Sequence, residues 1–165
     1  MNKTKTLKTR FHKIAFILLL VSIPFSSCSS DDDATTPEQT NFFLTAKIDG
    51  VDFSANSADP LASISNNQTQ IFTITGINNN GGRITLTLPS PIIVGTFTTD
   101  TGAILSFVSP NVEVWGATED AGTGTITITA NNTTAIEGTF SFTGVNPADN
   151  STKVITEGKF KAKKL

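Results

Sequence analysis

From residue 42 to its end the chain alternates apolar and polar positions with a period of two, the mark of strands that bury one face. Phe42, Leu44, Ala46 and Ile48 alternate with Phe43, Thr45 and Lys47, and Val51, Phe53 and Ala55 resume the pattern after Asp49-Gly50. Asp-Gly between two such runs predicts a two-residue hairpin, because both central residues of that turn need positive φ. Residues 70–77 (QIFTITGI) and 83–88 (RITLTL) predict a second hairpin around Asn78-Asn79-Asn80-Gly81-Gly82. Pro89-Ser90-Pro91 ends it, since proline brings no N–H to a ladder. Short strands follow at 94–98, 104–108 and 112–116. Residues 123–130 place Ile126 and Ile128 on one face, with Thr125, Thr127 and Thr129 on the other. After Asn131-Asn132, residues 134–145 put Ile136, Gly138, Phe140 and Phe142 on one face. Residues 146–150 read as a loop. The last strand, 153–163, is predicted with Val154, Gly158, Phe160 and Ala162 inward.

The only helical feature predicted in this region is a single turn over 58–65. About ten antiparallel strands with mostly short connections predict an all-β domain, an antiparallel meander folded as a β-sandwich or a flattened barrel. Periodicity does not separate those two. Gly95-Thr96-Phe97, Gly138-Thr139-Phe140 and Gly158-Lys159-Phe160 are alike, but their unequal spacing marks similar strand starts and not a repeat architecture.

The first forty residues follow a different pattern. Lys3, Lys5, Lys8, Arg10 and Lys13 precede an apolar run from Ile14 to Phe25 (IAFILLLVSIPF). That run is twelve residues long, enough for a secretory signal and short of the ~20 that a membrane span needs. Residues 1–27 are therefore expected to be a cleaved signal peptide. Phe25-Ser26-Ser27-Cys28 resembles a bacterial lipobox, in which the cysteine becomes the new N-terminus and carries acyl chains, although Phe25 stands where leucine is usual. The resemblance implies a thiol that accepts diacylglycerol and a small residue before it for the peptidase. Plain secretion is the alternative. The sole cysteine of the chain lies at the one position a lipobox requires.

Ser29, Ser30, Asp31, Asp32 and Asp33 follow, then ATTPEQT. Residues 28–41 read as a lipidated cysteine on a solvated, disordered tether. An acidic run directly after the lipidated cysteine also resembles the export signal of surface lipoproteins in Bacteroidota. That implies an outer-membrane, lipid-anchored protein at the cell surface, with the periplasmic face as the alternative.

Within the single domain expected over 42–165, LTAKIDGVDF (44–53), GTITIT (124–129), IEGTFSF (136–142) and ITEGKF (155–160) resemble all-β lipoprotein domains of unknown function in Bacteroidota. The resemblance implies a fold and an address, and no activity.

Charge and composition narrow the chemistry. From Cys28 onward seven Lys/Arg stand against fourteen Asp/Glu, a charge near −7, which disfavours nucleic acid as a partner. One cysteine permits no intrachain disulfide. The only histidine, His12, lies in the signal and there is no tyrosine, so histidine-dependent nucleophilic, acid–base and metal chemistry have no side chains in the mature part. No enzyme, catalytic residue, metal or cofactor is expected. Paired carboxylates, Asp49/Asp52 or Glu119/Asp120, leave a hydrolase as the remotest alternative.

Two features remain as candidate contacts. In Val112-Glu113-Val114-Trp115-Gly116, valines turned to the core would expose Trp115 beside Glu113, as in a sugar-stacking platform; the opposite facing makes Trp115 a core filler. Lys159, Lys161 and Lys163 form an outward stripe that would guard an exposed edge or attract an anionic ligand. The function expected is a non-enzymatic, lipid-anchored structural or interaction module of the envelope. Its partner would be the membrane through the anchor, and a protein or glycan beyond it. The alternative is a glycan- or small-ligand-binding module.

Overall fold

Threonine, isoleucine, valine and phenylalanine at alternating positions fit a pleated surface with one buried face, and strands dominate accordingly. The computed structural model describes residues 42–55, 61–65 and 71–164. The strands are β1 (Phe43–Ile48), β2 (Val51–Ser54), β3 (Leu61–Ser65), β4 (Ile71–Ile77), β5 (Arg83–Pro89) and β6 (Gly95–Thr98). They continue with β7 (Ile104–Val108), β8 (Val114–Ala117), β9 (Thr123–Asn131), β10 (Ala135–Val145) and β11 (Thr152–Lys164). A 3-10 turn at Thr99–Thr101 separates β6 from β7.

The predicted helical turn over 58–65 does not form at 61–65. Those residues are β3, laid antiparallel on β4 from Leu61↔Thr75 to Ser65↔Ile71. The backbone groups of a short segment are better satisfied by a ready-made ladder than by one isolated helical turn. At its start β3 also runs parallel to the end of β11, with Lys163 opposite Leu61.

All strands join one curled sheet in the order β2-β1-β11-β3-β4-β5-β7-β8-β10-β9-β6. A meander runs through β3, β4, β5, β7 and β8. The other group is held by β11, which pairs along its length with β10 on one side and β1 on the other. The two groups meet at narrow joints, β11 with β3 and Val145 of β10 with Gly116 of β8. The result is a partly closed barrel, its edges at β2 and β6. Inside lie Leu44, Ile74, Ile84, Leu86, Leu88, Leu105, Ile126, Ile128, Ile136, Ile155 and Phe160, all essentially without solvent contact.

Two registers decide details that alternation alone misassigns. In β11 the ladder to β10 shifts between Gly158 and Ile155, and Glu157 takes φ 53°. This bulge reverses the facing of the residues before it. Ile155 is buried and Val154 is turned out, the reverse of the alternation prediction for Val154. Beyond the bulge, Gly158, Phe160 and Ala162 face inward as predicted.

The second register explains the Gly-x-Phe fragments. Gly138 stands opposite Phe160 and Phe140 opposite Gly158, so each phenylalanine ring lies over the other strand's glycine. The two rings sit 6.4 Å apart between centroids. A Cβ on Gly138 would come within 2.2 Å of the Thr127 carbonyl oxygen, and one on Gly158 within 2.4 Å of that of Phe140. Glycine is required at both positions.

Candidate functional site

The hairpins β1–β2, β4–β5, β7–β8 and β10–β11 all turn at the same end of the barrel, and the space between them is a cleft of about 440 Å³. Each hairpin is set by a local device. In the first, Asp49 (φ 49°) and Gly50 (φ 83°) both take the left-handed region, as the Asp-Gly pattern predicts. In the second, Asn78 Oδ1 accepts the backbone N–H groups of Asn80 and Gly82, folding the asparagine-glycine loop on itself. In the third, Ser109 Oγ accepts the N–H of Glu113, while the Val112 N–H donates to the Ser109 carbonyl. In the fourth, Asn146 Oδ1 accepts the N–H of Ala148, and Asp149 Oδ1 accepts that of Ser151.

The cleft floor is aromatic. Phe53 meets Phe107 edge to face at 6.5 Å, and Phe107 stacks on Trp115 at 5.8 Å. Trp115 is only 5% exposed: β8 turns Trp115 and Ala117 inward and leaves Val112 and Val114 outside. The sugar-stacking platform is thus not formed, and the core-filling alternative holds. The register explains why, because Trp115 pairs with the inward Phe107, and its backbone lies so close to Gly144 that a Cβ there would stand 2.9 Å from it. Its indole Nε1–H donates to Ser151 Oγ at 3.0 Å, so the one polar atom of the ring is satisfied.

Glu113 and Trp115 both line the cleft, Glu113 from the rim and Trp115 by its ring edge. Lys153, which the sequence reading did not single out, joins them. Its ammonium lies 5.5 Å from the indole centroid and 2.7 Å from Asp49 Oδ2. Asp49 Oδ1 accepts the Val154 N–H. The bond from Lys153, and then that from the Val154 backbone, hold the Asp49 carboxyl below the usual carboxylate range. Asp49 is therefore a structural clasp between β1–β2 and β11, and it is not free to act with Asp52 as an acid–base pair. Asp149 is lowered as well, by the Ser151 N–H foremost.

Apolar lips flank this polar rim. Val51, which lines the cleft, is 71% exposed, and Val112, in the turn between the lining residues Pro110 and Glu113, is 77% exposed. Val112 holds φ 68°, a conformation that is strained for a β-branched residue. Among the described residues no cluster of three or more metal-ligating side chains occurs. In the sequence Phe53, Phe107 and Lys153 are marked only by their strand positions; their convergence depends on four hairpins meeting.

Cys28, Ser29, Ser30, Asp31, Asp32, Asp33 and the apolar run at 14–25 lie outside the described residues. No helix among the described residues is long and apolar enough to cross a membrane.

An all-β barrel with an aromatic-floored cleft between its hairpins is the class of protein that fold and site define. The chain belongs to the family described as Domain of unknown function (DUF6252), matched over residues 40–162. The match begins two residues before the first described position and ends within β11, so it takes in nearly the whole barrel. No curated protein and no solved structure matches the chain.

Proposed function

We propose that the protein is a lipid-anchored component of the bacterial outer membrane, displayed at the cell surface, whose barrel is a non-enzymatic interaction module working through the hairpin-end cleft. The observation that carries this is the polarity of the domain. The chain arriving from Cys28 enters β1 at Phe43, and the cleft begins at Ile48, roughly 17 Å further along an extended strand. An anchor on Cys28 would tether the barrel through the start of β1, not through the hairpins that form the cleft. The apolar run, the lipobox-like Phe25-Ser26-Ser27-Cys28 and the acidic residues after it support the anchor and the address.

Radiolabelled palmitate is expected to enter the wild-type chain and not Cys28→Ser, and that variant is expected in the soluble envelope fraction. Protease added to intact cells is expected to remove the domain. Survival in whole cells with loss on lysis would place it on the periplasmic face instead.

A second reading, binding of a small ligand, is favoured by the cleft itself: concave, apolar at its floor and polar at its rim, as small-molecule sites are. Trp115 is the only tryptophan, so its fluorescence reports on occupancy directly. An amphipathic ligand is expected to shift that emission, and Lys153→Met to weaken the shift. Unchanged emission across a broad set of glycans and amphiphiles would leave the cleft to a protein partner.

A further inference from the structure

Strand β11 carries Lys159, Lys161 and Lys163 on its outer face. Lysines of that kind protect a strand edge, but β11 has no edge to protect: β10 pairs on one side, and β1 and then β3 on the other. The stripe therefore needs another reason. Its neighbours across the ladders supply one. Phe43 stands directly opposite Lys161 on β1, with 39% of its surface open to solvent. On β10, Thr139 stands opposite Lys159 and Glu137 opposite Lys161. Glu137 binds Lys161 at 3.0 Å. Lys159 and Lys163 are exposed and have no ion-pair partner among the described residues. Lys164, next in the chain, is held by the β9–β10 turn through the Asn132 carbonyl.

This face differs from the hairpin end in sign. Lys47, nearer that end, is already balanced by Glu157 at 2.9 Å. The cleft rim carries Asp52 and Glu113, while its Lys153 is matched by Asp49. Two of the three exposed basic side chains without an ion pair among the described residues, Lys159 and Lys163, thus lie on this face beside an exposed aromatic ring, and the third, Arg83, is at the hairpin end.

We infer that the face formed by Phe43, Lys159, Lys161 and Lys163 docks on a layer of anionic, phosphate-bearing lipid headgroups. Lysines placed this way attract such a surface while their methylene stems and the Phe43 ring rest at its apolar boundary. The inference builds on the anchor proposed above, since a chain fixed at Cys28 would keep the domain close to the headgroups. It also predicts binding without any anchor. Docking would lay β11 along the surface, with the cleft opening to one side.

The test uses the chain from residue 28 with Cys28→Ser, which has no acyl group, and sedimentation with vesicles. Phosphatidylglycerol-containing vesicles are expected to retain it and pure phosphatidylcholine vesicles to release it, and 0.5 M salt is expected to abolish binding, on the order of a Debye length of 3–4 Å. Each lysine removed should weaken partitioning about fivefold, so Lys159→Gln with Lys163→Gln should lower it about 25-fold with the Trp115 emission unchanged. Phe43→Ser should weaken binding to the anionic vesicles, and Val112→Ser, at the far end, should leave it intact. Equal retention on both vesicle types, indifference to the two lysine changes, or equally strong binding of inorganic phosphate alone would overturn the inference. Palmitate labelling of the wild-type chain judges the anchor separately: vesicle binding without labelling keeps the docking face and removes the anchor, and labelling without vesicle binding does the reverse.

Discussion

Single residues hold the hairpin end together, and their contributions have signs that can be checked. The folded-state pKa of Asp49 is depressed, so the stability it supplies is present above the ordinary aspartate value and is lost as pH falls from about 4 downward. Its carboxylate and its lysine partner are both partly exposed, which limits the pair to about 0.5 kcal/mol. Asp49→Asn keeps a side chain that tolerates positive φ and removes the charge. Urea unfolding of this variant at pH 7 and pH 3 should therefore show a smaller difference between the two values than the wild type. Val112 presents the opposite situation. Its left-handed backbone is a cost, and Val112→Gly should raise the unfolding free energy by about 1 kcal/mol and so shift the urea midpoint upward. A decrease would mean that the valine side chain packs more than its exposure indicates.

At the level of elements, β10 and β11 are the organising pair. Their crossed Gly–Phe contacts let two large rings enter one layer of the core without pushing the strands apart. Gly138→Ala would drive a methyl group against the Thr127 carbonyl and the Phe160 ring, an overpacking that costs about 1–3 kcal/mol. Thermal unfolding should show a clear fall in Tm. Gly50→Ala, where a Cβ meets nothing, should lose only the smaller cost of its positive φ. Much of this was legible beforehand: the Gly-x-Phe fragments, the Asp-Gly hairpin and the inward set Ile136, Gly138, Phe140, Phe142 all follow from alternation. The inward Ile155 and outward Val154 were not legible, because a bulge reverses facing without leaving a mark in composition. β3 was missed for a related reason. Residues 61–65 are short and weakly patterned, and pairing with β4 gives them their form.

For the whole molecule, connectivity predicts where the barrel opens. β11 has partners on both sides, while β2 and β6 each have one. Hydrogen exchange should find the slowest amides in β10 and β11, and faster ones in β2 and β6, since local opening frees an edge strand at less cost than a central one. Uniform protection across all strands would show that the curled sheet opens only as a unit. The same connectivity separates the two ends of the molecule. Chain entry and the unpartnered lysines lie toward one end, and the aromatic-floored cleft at the other.

The sequence by itself determined that this is an all-β domain, because period two and turn residues are local patterns, and it carries before that domain a segment resembling a signal peptide and lipobox. It also determined most inward faces, since alternation settles them wherever no bulge intervenes. Only the tertiary structure decided that Trp115 faces the core, that β11 is central and so has no edge for its lysines to guard, and that four hairpins converge on one cleft. Those outcomes depend on which strands become neighbours, a choice made by burial across the whole chain and written in no single segment of it.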